Sequence, residues 1–170
     1  MILLAFDLAT DTGIAVGDCR GAPICETERL GEAGDHHGAR FAQALRMTSR
    51  LIKRWQPTLV AIEAPLAAGQ SAKGGMIAKG LRGCILGMAH VHGLKVVEYD
   101  VATVRKHFIG HGRLPRAEAK RAVMTRCKQL RWQVRNDHHA DACAARGYAR
   151  MQAAGRTSPP PARPLTRRRS

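Results

Sequence analysis

The sequence predicts an α/β domain whose mixed five-stranded sheet, three antiparallel strands followed by two parallel ones, carries helices on both faces. Three observations lead there. The first thirty residues hold three short strand-like segments joined by tight polar turns, as in an antiparallel meander. Beyond them, segments of helical periodicity alternate with short apolar runs, as in an α/β sheet. At 170 residues and 45% hydrophobic side chains, the chain can build one cored domain but not two large ones.

The chain opens with ILLAF, a continuous apolar run ending at Asp7. The turn-like ATDTG leads into IAVGD, and a third strand follows near Pro23 to Leu30. From His36 to Trp55, Phe41, Leu45, Met47, Leu51, Ile52 and Trp55 recur at helical spacing until Pro57 stops the helix. TLVAIE is a short apolar strand ending in Glu63, and its lack of alternation indicates burial on both faces. Ser71 to His92 reads as a second helix, with Gly80, Gly83 and Gly87 on one face. Each glycine costs roughly 1 kcal/mol against alanine, a cost that close approach of another helix, in the core or across a dimer interface, would offset. Leu94 to Glu98 reads as a buried strand, followed by a short helical turn through Phe108. Two helices, Pro115 to Leu130 and Asp137 to Met151, complete a domain expected over residues 1–154. The Pro- and Arg-rich remainder, 155–170, has no apolar periodicity and reads as a disordered tail.

Three acids stand where a core is expected. Asp7 ends ILLAF, Glu63 ends TLVAI, and Asp141 lies inside the apolar helix segment HHADACAA. A buried, unpaired carboxylate costs several kcal/mol unless a cation or hydrogen bonds compensate it. Each has a plainer reading: Asp7 as a turn cap, Glu63 as a solvated strand end, Asp141 as an arginine's partner. If the strands beginning at Ile2 and Thr58 are neighbours, however, Asp7 and Glu63 emerge at one sheet edge, where a packed helix could add Asp141. Hard carboxylate oxygens in such a cluster suit Mg²⁺ or Mn²⁺. On a helix His138 and Asp137 share the face of Asp141 and His139 does not. Either His138, as ligand or proton shuttle, or Asp137 could be a fourth member.

Charge points to the partner. Lysine and arginine outnumber the acids 28 to 13, a net +15. The last sixteen residues hold five arginines and no acid, so the body keeps a large excess without them. A domain this basic calls for a polyanion, and nucleic acid is the commonest. No run of 18 apolar residues would span a membrane, and MILLAFDLA reads as neither signal peptide nor span. The five cysteines are scattered and form no CxxC, which speaks against a disulfide framework or a cysteine zinc site and fits a reducing cytoplasm. His90 and His92, and the pair His36–His37, read as helix-end or surface residues.

The run LLAFDLATDTGIAVGD, the strand LVAIEAP and the helix HHADACAA resemble, in order and spacing, the three motifs of RuvC-type Holliday-junction resolvases, which have an RNase H-like fold. The resemblance covers residues 1 to about 151. It implies Asp7, Glu63 and Asp141 as ligands of two Mg²⁺ or Mn²⁺ ions, His138 at a fourth position, and Lys106 and Lys120 near the scissile phosphate. It implies a homodimer built on the Ser71–His92 helix, which contains KGLRG, and two-metal hydrolysis of branched DNA in a bacterial or phage-encoded protein. Two features depart from the family pattern. Asp7 is followed by Leu8–Ala9 where members often have Pro-Gly, and Leu66 stands where some carry an aromatic wedge. Base stacking on such a wedge is worth roughly 1–3 kcal/mol.

These departures keep open a second reading, a DNA-binding or phage-packaging-associated protein with a degenerate nuclease site. DLATDTG also faintly resembles the phosphate loop of actin-like kinases, but the loop has too little glycine and the chain is too short for the second domain such a kinase needs. The basic tail is expected to add salt-sensitive DNA affinity.

Overall fold

The computed structural model describes residues 1–64 and 72–155, apart from the side chains of residues 72–74. Leu66, Ser71 and the expected tail from residue 156 lie outside the described residues. The elements run β1 (Ile2–Asp7), β2 (Asp11–Asp18), β3 (Ile24–Arg29), α1 (His37–Trp55), β4 (Leu59–Glu63), α2 (Ala72–Val91), β5 (Lys95–Tyr99), α3 (Val101–Ile109), α4 (Arg116–Gln129) and α5 (Asp137–Ala153). They form one sheet in the order β3-β2-β1-β4-β5. β1 and β2 pair antiparallel, as do β2 and β3, whereas β4 lies parallel to β1 and β5 parallel to β4. This is the mixed sheet the sequence predicts.

One difference concerns the segment after β5. The short helical turn expected through Phe108 is a full nine-residue helix. The Asp100 side chain accepts from the backbone of Thr103 at 2.9 Å to start it, and Gly110, at φ 81°, ends it in the left-handed region. Asp100 and Gly110 supply the start and stop signals that apolar spacing alone does not show. α1 behaves as its sequence suggests: His36 accepts from the Gly38 N–H at its start, and Gln56 turns left-handed just before Pro57.

The pleat decides which side chains reach which face. In β1, Leu4 and Phe6 point toward α1 and α2, together with Ile14, Val16, Val60 and Ile62. They meet Met47 and Leu51 of α1 and Leu81 and Ile85 of α2. Leu3 and Ala5, with Ala15, Leu59 and Ala61, point the other way, toward α3, α4 and α5. The alternation continues into the strand ends. Asp7 follows Leu3 and Ala5, and Glu63 follows Leu59 and Ala61, so both acids face the α5 side at the carboxyl ends of neighbouring parallel strands.

The glycines expected to share one face of α2, Gly80, Gly83 and Gly87, differ in their surroundings. A Cβ on Gly80 would sit 2.2 Å from the Phe41 ring of α1, so this glycine admits a close helix contact. Cβ atoms on Gly83 and Gly87 would meet nothing within 4 Å.

Candidate active site

Helix α5 completes the site because its first turn comes down almost onto the β2 backbone. A Cβ built on Gly13 would lie 2.1 Å from the His138 carbonyl oxygen, so only glycine fits there. Gly13 is also the register partner of Asp7 across the β1–β2 pair. The approach brings His138 Nδ1 to 2.9 Å from Asp7 Oδ2, an imidazole–carboxylate hydrogen bond between residues 131 apart in sequence. Asn136 starts the helix by accepting from the His139 N–H at 2.8 Å.

Asp7, Glu63, His138 and Asp141 line one cleft of about 520 Å³. Burial is the first cause that raises the pKa of each of the three acids. The charge of Asp7 adds to the rise at both Glu63 and Asp141, and Asp141 is pushed up to about 6. For Asp7 the hydrogen bond to His138 works in the opposite direction. The molecule thus holds several carboxylates where their negative charge is costly, the condition a bound cation relieves. The three carboxylates supply hard oxygen donors that suit Mg²⁺ or Mn²⁺, with the softer imidazole nitrogen of His138 beside them. Among the described residues no three such side chains already surround a single point, so these groups would have to draw inward onto an ion.

The two candidates for the fourth place are arranged differently. His138 bonds to Asp7, whereas Asp137 forms an ion pair with Lys120 of α4. The hydrogen bond from Lys120 is the main reason the Asp137 carboxyl is held below its usual range. His139 is buried and its Nδ1 accepts from the Arg135 N–H at 3.3 Å, away from the cluster.

The two expected basic residues are placed differently. Lys120 lines the cleft, but Lys106 is exposed and lies outside it. The α3 residues that line it are Val101, Val104 and Arg105. Lys106 is turned about 100° around the helix from Arg105, which carries it off that face. The Arg105 charge acts on Glu63 and Asp141, lowering both, and Arg116 adds a third cation to the rim. The stripe Val101, Val104 and Phe108 marks the inward face of α3, with Arg105 one turn after Val101, a signal the sequence does contain.

Tyr99 is a further residue that composition and spacing do not reveal. Buried at the end of β5, it donates from its hydroxyl to the Phe6 carbonyl at 2.6 Å and so pins the backbone just before Asp7. Burial, followed by the charges of Asp7, Glu63 and Asp141, raises its pKa well above the ordinary phenol value. It remains a neutral donor at the floor of the cleft.

The family model for crossover junction endodeoxyribonuclease RuvC matches residues 10–146. Among solved structures the chain is similar to RuvC of Thermus thermophilus, with TM-score 0.67 and 23% identity over 94% of this chain and 100% of that one. It is also similar to T. thermophilus RuvC in complex with a Holliday junction substrate, at TM-score 0.72 and 18% identity, over 91% and 96% of the two chains. The yeast mitochondrial Holliday junction resolvase Ydc2 gives TM-score 0.63 at 12% identity, over 89% and 80%. At these identities the structures speak for a shared fold. No curated protein matches the chain.

Proposed function

The chain belongs to the RuvC family of crossover junction endodeoxyribonucleases, and from that premise we propose that it resolves four-way DNA junctions by Mg²⁺- or Mn²⁺-dependent phosphodiester hydrolysis. The observation that carries this reading is the convergence of Asp7, Glu63 and Asp141 on one basic-rimmed cleft. When bound, two such ions would supply Lewis acidity to activate the attacking water and to stabilise the leaving 3′-oxygen. Asp7, Glu63 and Asp141 would hold them, with His138 orienting Asp7 through the 2.9 Å contact or joining it as a ligand. Lys120, with Arg105 in the place first expected for Lys106, would neutralise charge on the phosphate. Asp137 would keep Lys120 aimed at the rim through their ion pair.

The solved complex of a T. thermophilus relative with a Holliday junction substrate supports a junction as the substrate class. A homodimer through α2 would present two clefts to a two-fold junction, and Gly83 and Gly87 leave open space on that helix for a second copy. No described helix is long and apolar enough to cross a membrane, and the free cysteines accord with a reducing cytoplasmic setting for a bacterial or phage-encoded protein.

Asp7→Asn tests the reading. The variant is expected to bind a four-way junction as the parent does while losing cleavage with either metal, measured on labelled junction, flap and linear duplex. Retained cutting by the purified variant overturns it. A parent that binds junctions and cuts none of the three substrates favours a DNA-binding protein with a degenerate site, the reading that Leu8–Ala9 after Asp7 keeps open.

A further inference from the structure

Four of the five cysteines gather at the other end of the α5 contact, around a buried arginine. Cys25 of β3 and Cys143 of α5 stand with their sulfurs 3.1 Å apart, although 118 residues separate them in sequence. A disulfide needs about 2.05 Å, so the two need approach by only about 1 Å to reach bonding distance. Cys143 is fully buried and Cys25 half-buried on the outermost strand. Cys127 of α4 also lies within hydrogen-bond reach of Cys143 and is fully buried as well. Cys84 sits on α2, across the sheet.

Arg146, one helical turn beyond Cys143, is 2% exposed. Its guanidinium donates to the carbonyls of Asp18 and Gly21, and its Nε has no partner. Its charge acts on Cys19, Cys25 and Cys143. A buried cation bonded to neutral carbonyls favours a thiolate beside it.

We propose that Cys25 and Cys143 form a reversible redox pair, which a hydroperoxide oxidises to a disulfide stapling β3 to α5. Cys25 is the sulfur an oxidant can reach, since Cys127 and Cys143 are both enclosed. A hydrogen bond from Cys143, the main cause, and the Arg146 charge hold the Cys25 thiol below its usual range despite its burial. Cys143 is pushed up by its hydrogen bonds to Cys127 and Cys25 and by burial, so it stays a thiol until called on.

With hydrogen peroxide, the Cys25 thiolate attacks one peroxide oxygen and the O–O bond breaks. Hydroxide leaves, takes up a proton as water, and Cys25 becomes a sulfenic acid. The Cys143 sulfur then attacks the Cys25 sulfur, the S–O bond breaks, and the departing hydroxide accepts the Cys143 proton. Two thiols lose two electrons, and one peroxide becomes two waters. Two equivalents of a small thiol reverse the change by exchange. Intracellular disulfides are usually transient and redox-sensing, which accords with a pair that is reduced at rest. The staple would reinforce a seam already joined by Asn136 Nδ2 and Thr27 Oγ1 at 3.1 Å, next to the turn that carries His138.

The test uses the full chain, reduced and then exposed to hydrogen peroxide in the absence of metal. Peptide mapping is expected to show one link, Cys25 to Cys143 within a chain, with free thiols falling from five to three and returning to five with dithiothreitol. The oxidised protein should melt higher than the reduced one, and Cys25→Ser should remove both the link and the shift while Cys84→Ser leaves them. Three results overturn the proposal: a link from Cys143 to Cys127, a link only between chains, or accumulation of Cys25 as sulfinic acid with no link. Cleavage activity does not enter the readout, so failure here is separable from failure of the nuclease reading.

Discussion

The two faces of the sheet are made from the same strands and built for different ends. Toward α1 and α2 the strands present Leu4, Phe6, Ile14, Val16, Val60 and Ile62, met by Met47, Leu51 and Ile85. These bulky side chains bury area and hold the helices at ordinary distances. Toward α5 the strands offer Ala5, Ala15 and Ala61, and the helix answers with Ala140, Ala144, Ala145 and Ala149. Alanine on alanine buries little per residue, but it lets a helix lie low on the sheet, and Gly13 shows how low. One face stores stability in volume. The other gives up volume for position, bringing His138 and Asp141 to strand-end acids that the pleat already aims their way.

The largest effect expected from this difference comes from the bulky face. Leu51 is fully buried, and Leu51→Ala should cost about 2–5 kcal/mol through lost burial and the cavity left behind. Chemical denaturation measures the loss. At a temperature where the variant stays folded, its junction cleavage per folded molecule should match the parent's. If cleavage falls as steeply as stability, the two faces do not divide the work in this way.

Gly13→Ala asks the converse. The new methyl would meet the His138 carbonyl, a backbone atom that cannot rotate aside. The first turn of α5 must lift, taking His138 from Asp7 and moving Asp141 with it. Displacement of about 1 Å at a reacting centre can cost on the order of 100-fold in rate, whereas overpacking typically costs about 1–3 kcal/mol in stability. Single-turnover cleavage should therefore fall about 100-fold in a protein that still folds. A variant that cuts at the parental rate would show that the low seat of α5 does not position the site.

The contrast also explains what the sequence could disclose. Asp7 and Glu63 were legible because an acid ending an apolar strand is a local anomaly, and the parity of Leu3–Ala5–Asp7 and Leu59–Ala61–Glu63 follows from the pleat. Tyr99 was missed because the strand was expected to end at Glu98, one residue early. Arg105 was missed because α3 read only as a short helical turn, and its inward stripe of Val101, Val104 and Phe108, which sets the phase that separates position 105 from 106, was not drawn out. The pairing of Asp137 with Lys120, the seat of Gly13 under His138 and the meeting of Cys25 with Cys143 join distant segments. Such relations depend on how α4 and α5 dock, which no local pattern records.

The smallest effect is the most specific to the α5 face. Burial, followed by the charge of Asp7, raises Asp141 from 3.8 to about 6. The folded, metal-free protein therefore holds this proton more tightly than the unfolded chain does. The stability that arises from it is fully present below about pH 3.8 and is lost as pH rises through about 6. Asp7 and Glu63 are shifted in the same direction. Asp141→Asn removes the charge and keeps the shape, so without metal the variant should melt a few degrees above the parent at pH 7, given about 2–4 °C per kcal/mol for a chain of this size. At pH 4 the two should melt nearly together. Adding Mg²⁺ or Mn²⁺ at pH 7 should raise the parent and narrow the gap, because an ion that binds only the folded state stabilises it. Calorimetric melts at both pH values, with and without metal, measure all of this. An Asp141→Asn protein that melts below the parent at pH 7 without metal would mean that the carboxylate is not strained there, and that the α5 face gives up less stability for position than its geometry indicates.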